Sequence, residues 1–203
     1  MHVNNEGMPN PFLIIGIFAL TLAVVRVITI FAHEMGHALV GMLFLKGDFD
    51  VYIGSYGDPD KGYHFKIGRI TFHFIYEPFS VEKGVFRSEL QDTSVLRDFL
   101  ITLAGPVASL VTGLLYFYIA VFSPLPEVVK ISFYIFTGSS FLDFWYNIKP
   151  DKTAIVLHNN KLVYNDGYML QYRWAQLRNK KLPVVEEERT DIVLEAKKNQ
   201  SAD

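Results

Sequence analysis

The chain has 203 residues, enough for one domain of ordinary size, and half of them are hydrophobic, including 17 Phe and 11 Tyr. A net charge of −2 gives no electrostatic footing for nucleic acid. The lack of cysteine excludes disulfides and thiolate metal sites, so any metal must be held by nitrogen and oxygen donors.

Residues 1–11 carry no Lys or Arg and so lack the basic region of a secretory signal. The apolar run that comes next, residues 12–45, is far longer than a signal core, and we read it as a retained membrane segment. As one helix it would be about 51 Å long, whereas a bilayer core needs only about 20 residues. The run must tilt, project from the membrane or break, with Gly16, Gly36 and Gly41 as candidate weak points. Within it lies His33-Glu34-Met35-Gly36-His37, the pattern H-E-x-x-H. On a helix, positions i and i+4 share a face, so both imidazoles can address one metal ion. Glu34 lies one step round, near enough to take a proton from a metal-activated water. Ionisable groups in so apolar a setting are costly and point to function. Arg26, seven residues before His33, is read as a snorkelling or interhelix-paired side chain.

Residues 48–53, 63–67 and 69–76 are rich in aromatic and β-branched residues and are separated by glycine-containing turns. They predict a small antiparallel sheet at the membrane surface, with Ile70, Phe72 and Phe74 on one face. His64 and His73 on these strands are read as surface or satisfied histidines rather than ligands. Asp92, Thr93 and Ser94 offer N-caps for a second apolar helix, residues 99–122. Its small residues Ala104, Ala108 and Thr112, and Gly105, Ser109 and Gly113, form rows suited to close helix packing. Pro106 should kink this helix. A third apolar helix is expected over 128–148, carrying one acid, Asp143, and ending before Pro150. Residues 153–164 read as a loop with a short strand or two. Asn165-Asp166-Gly167 reads as a turn and cap, and 168–181 as an interfacial helix. Residues 182–203 form a charged tail, a solvated helix or disordered, so that 1–181 is a single membrane domain.

Of the 19 Lys and Arg, seven fall within 46–97 and ten within 149–198. With three spans, the positive-inside rule puts the sheet loop and the C-terminal tail in the cytoplasm of a multi-pass protein.

Together, H-E-M-G-H in an apolar helix, a sheet, and then Leu103-Ala104-Gly105-Pro106 in the next span resemble the site-2 proteases, a family of intramembrane zinc metalloproteases. Asn147 and Pro150, followed by Asp166-Gly167, resemble that family's third core helix, and the resemblance covers roughly residues 24–170. It implies a mainly α membrane fold with about three core spans and a Zn2+ ion held by His33, His37 and one downstream aspartate. It also implies Glu34 as general base. By position that aspartate is Asp166. In the family the asparagine, proline and Asp-Gly elements lie close together, whereas here residues 151–165 intervene, which keeps Asp143 open as an alternative third ligand. Asn147 suits an oxyanion or substrate-backbone donor, with a helix C-cap as the other reading. The resemblance further implies a substrate that spans the lipid bilayer and is held as an extended strand. The expected function is therefore an intramembrane zinc endopeptidase. The alternative is a catalytically silent membrane protein of the same fold that binds or scaffolds a partner.

Overall fold

The computed structural model describes residues 11–55, 57–76, 84–88, 94–157 and 162–180. The expected charged tail 182–203, the first ten residues, and Asp92 and Thr93 lie outside the described residues.

The H-E-x-x-H run is one unbroken helix, α1 (Pro11–Phe44), because nothing between Pro11 and its end removes a backbone donor. Its glycines are not breaks. Gly36 instead lets α1 press onto α2 (Val95–Phe122): a Cβ at this position would sit 2.6 Å from the Ala108 Cβ and closer still to the Ala104 carbonyl oxygen. That contact uses the small-residue row of α2. Ser94 caps α2, its hydroxyl accepting from the Arg97 amide. Pro106 is accommodated within the continuous helix and fully buried. α3 (Glu127–Ile148) returns against α2 and is tied to α1 by a Thr29–Ser139 hydroxyl pair at 2.9 Å.

Two helical stretches, Phe18–Phe44 and Val95–Phe122, are long and apolar enough to cross a bilayer. Only 28% of each stretch's apolar window is buried, the reverse of a soluble core helix, and side chains such as Leu43, Val111 and Tyr118 face outward. α3 does not reach that level among the described residues. Glu127, Lys130, Asp143 and the run Thr137-Gly138-Ser139-Ser140 dilute its apolarity.

The sheet corrects the antiparallel expectation. Four strands, β1 (Phe49–Ile53), β2 (Gly62–Ile67), β3 (Ile70–Ile75) and β4 (Val85–Ser88), lie in the order β2-β3-β1-β4. β1 runs parallel to β3, with Phe49 opposite Ile70 and Val51 opposite Phe72, while the other two pairings are antiparallel. Alternation along a strand records which face is buried but not the direction of its neighbour. The centre goes to the two strands with the most buried apolar faces, β1 and β3. Mostly exposed β2 carries the chain back between them through a two-residue turn at Gly68, φ 60°. The inner face, Phe49, Val51, Ile53, Ile70 and Phe72, packs with Ile30, Ala38 and Leu45 of the first helix and its exit. Arg69 pins the hairpin to the end of α1, donating to the Leu45 and Gly47 carbonyls at 2.7 Å each. His73 is buried, stacked on Tyr52 and bonded through Nε2 to Asp50 at 3.0 Å, so it is only half satisfied, its buried Nδ1 having no hydrogen-bond partner among the described residues; His64 is exposed.

After α3, a two-stranded ribbon, β5 (Ile155–Val156) and β6 (Leu162–Val163), leads into α4 (Asp166–Leu177). α4 docks on the start of α2 through an Arg173–Asp98 ion pair at 3.5 Å and a Phe99–Trp174 ring contact.

Candidate metal centre

The two motif histidines face α2 and α3 rather than the outer surface, and are 5% and 6% exposed. Each uses Nδ1 to fix its ring. His37 Nδ1 lies 2.8 Å from the Ile101 carbonyl oxygen, which can only accept, so the hydrogen is on His37. His33 Nδ1 lies 2.8 Å from Asp143 Oδ2 and 3.1 Å from Ser109 Oγ. With both Nδ1 atoms engaged as donors, the Nε2 lone pairs turn toward one point, 3.2 Å apart.

Asp166 completes that point. Its Oδ2 is 2.9 Å from His33 Nε2 and 3.5 Å from His37 Nε2. Burial alone would push its carboxyl up, but the adjacent His37 and His33 outweigh burial and hold it well below the usual carboxylate range. His33, His37 and Asp166 thus form a buried group that can hold a metal ion. Asp143 stands on the other edge of His33, at Nδ1, and is therefore not the third member of the cluster.

How Asp166 reaches the histidines across the 151–165 excursion is explained by its neighbour Asn165. The Asn165 amide nitrogen donates to the Tyr146 and Lys149 carbonyls at the end of α3. Its oxygen accepts from the Asp151 amide, where the excursion begins, and from the Tyr168 amide as the N-cap of α4. One side chain thus staples both ends of the excursion, and the Asp166-Gly167 step emerges against the end of α3. Gly167 permits this closeness: a Cβ there would fall 2.6 Å from the Lys149 carbonyl carbon.

No family model, curated protein or solved structure matches this chain, so its functional reading rests on the chemistry of these side chains.

A cavity of about 630 Å³ opens over the cluster, with Glu34 and both histidines among its lining residues. Glu34 is buried, and Gly84, just before β4, leaves room for it: a Cβ at Gly84 would meet Glu34 Oε1 at 2.6 Å. Val85 and Phe86 of β4 form one wall, and Ile155, Leu157 and Val163 of the ribbon region contribute another. Asn147 also lines the cavity, but its amide nitrogen is turned to Asp143, donating to the backbone oxygen at 3.0 Å and to Oδ1 at 3.1 Å. It is not the C-cap of α3, which is Lys149.

Sequence reasoning overlooked two residues of the site. Gly105, read as a helix-packing glycine, is the floor of the cluster: a Cβ there would lie 2.8 Å from His33 Nε2 and closer still to His37 Nε2. Ser109, read in the same row, bonds His33 and Asp143. Their four-residue spacing was the available signal, but it is equally the spacing of plain packing.

Proposed function

We propose that this chain is an intramembrane zinc endopeptidase, as its motifs suggest by resemblance to the site-2 proteases. The observation that carries the reading is the convergence of two Nε2 atoms and one carboxylate oxygen beside Glu34, on a helix apolar enough to cross a bilayer.

The donors fit zinc. Three ligands at about 2.0–2.1 Å from a tetrahedral centre would lie about 3.3 Å apart, and the observed separations of 2.9, 3.2 and 3.5 Å bracket that value. Three donors of N,N,O type would be the number a catalytic zinc takes from protein. Zinc held there supplies Lewis acidity toward water and toward a peptide carbonyl.

The chain's own residues do the rest. Glu34 takes a proton from the attacking water and returns it to the departing amine. Nδ1 anchoring at Ile101 and Asp143 keeps both imidazoles aimed while charge develops. Among the described residues β4 is an outer strand of the sheet, and such a strand offers its backbone for pairing with an extended peptide. That mode suits a substrate helix, which must unwind before its peptide bond can be attacked. The substrate class is a membrane-spanning protein, cut near the side on which the sheet lies. By the distribution of Lys and Arg that side is cytoplasmic.

The test is Glu34→Gln in liposomes containing single-span reporter helices with a glycine or proline near one end. The variant is expected to bind one equivalent of zinc and keep its helix content while cleavage stops. Undiminished cleavage by that variant would sink the mechanism. A wild-type protein that folds but takes up no zinc would favour a silent scaffold instead.

A further inference from the structure

The sequence left Asp143 as a rival ligand, and the structure gives it a different task. We propose that Asp143 is a positioning residue of the metal centre: its carboxylate clamps His33 through Nδ1 and keeps Nε2 aimed at the ion.

The clamp is built from three helices. His33 comes from α1, Ser109 from α2, and Asp143 and Asn147 from α3. Asp143 Oδ2 receives the Ser109 hydroxyl at 2.6 Å and His33 Nδ1–H at 2.8 Å, and Oδ1 receives the Asn147 amide at 3.1 Å. Three donors on one carboxylate leave it little freedom. Ser109 is fully buried and the Asp143 side chain is 18% exposed, so water competes weakly for these bonds. A neutral imidazole has one N–H; committing it to Asp143 commits the Nε2 lone pair to the cluster.

The two histidines are held unequally. His37 leans on the uncharged Ile101 carbonyl, while His33 leans on a carboxylate, which raises the basicity of a ligand more. Asp143 thus adds a carboxylate behind His33, on the edge of the ring opposite the one that Asp166 meets. In surroundings as apolar as α1 and α2, a ring held in this way keeps its lone pair on the cluster. Asn147 acts at one further remove, by bonding Asp143. The inference rests on the metal centre of the proposed function but not on peptide hydrolysis.

The experiment is titration of the full chain in detergent with Zn2+ against a chromophoric chelator, comparing wild type, Asp143→Ala, Asp143→Asn and Asp166→Ala, with helix content followed by circular dichroism. Asp143→Ala is expected to weaken zinc binding by about 10- to 100-fold, the range for loss of an outer partner of a metal-bound histidine. Asp143→Asn keeps an acceptor oxygen without the charge, and its affinity should fall between wild type and Asp143→Ala. Asp166→Ala should lose more than either. Wild-type affinity in Asp143→Ala overturns the proposal, as does a loss equal to that of Asp166→Ala, which would make Asp143 a ligand. If Asp143→Ala does not fold, the deciding variant is Ser109→Ala. Weaker zinc binding at unchanged helix content then supports the clamp, and unchanged affinity overturns it. A wild-type protein that binds zinc but cleaves no peptide removes the hydrolase reading and leaves this inference standing.

Discussion

Replacing Gly105 by alanine adds one methyl group at the floor of the cluster without replacing a ligand. The new Cβ would lie 2.8 Å from His33 Nε2, and closer to His37 Nε2. Ordinary non-bonded contact begins near about 3.5 Å, so the overlap with His33 is about 0.7 Å and that with His37 is larger. The imidazoles can retreat only by giving up their Nδ1 bonds to Asp143 and Ile101, each 2.8 Å. Overpacking of this kind costs about 1–3 kcal/mol. Borne by the metal centre, that is about a five- to 150-fold loss of affinity. The assay is zinc titration of the purified variant, with metal content per chain measured after gel filtration and helix content measured in parallel. A folded Gly105→Ala protein with wild-type zinc affinity would refute the idea that the histidine pair and this glycine enclose the ion.

Three further outcomes are expected. Asn165→Ala removes a helix N-cap, worth about 0.5–2 kcal/mol, together with the staple to Tyr146, Lys149 and Asp151. The melting temperature should fall accordingly, and zinc affinity should fall with it because Asp166 is the next residue. Gly36→Val drives a branched side chain against the Ala104 carbonyl and the Ala108 methyl. It should destabilise the α1–α2 packing by at least about 1–3 kcal/mol in denaturant titration in micelles. Chelation should lower the melting temperature, and re-addition of zinc should restore it. At free zinc about 100 times the dissociation constant, the bound ion is worth about 2.7 kcal/mol of stability.

Much of this molecule was legible because its strongest signals are local. A mostly apolar run of 34 residues without an interior proline makes one helix, and the i, i+4 spacing puts His33 and His37 on one face whatever surrounds them. The strand segments were readable from alternation, and their boundaries differ from the observed ones by at most about a residue at either end. Strand direction was not readable. The parallel pairing of β1 with β3 is decided by which two strands best fill the space under α1. β4 was missed because its four residues carry too little pattern to announce a strand.

At the site, the sequence by itself determined two histidine donors and a glutamate beside them at fixed helical offsets, and no sulfur from cysteine anywhere. Only the tertiary structure decided which acid joins them. Asp143 and Asp166 are both within reach of His33, and the choice turns on the edge of the imidazole each one meets. That edge depends on the packing of α3 and α4 against α1, through contacts more than a hundred residues apart in the chain. Local spacing can state that a histidine has two nitrogens; it takes three packed helices to assign each nitrogen its partner.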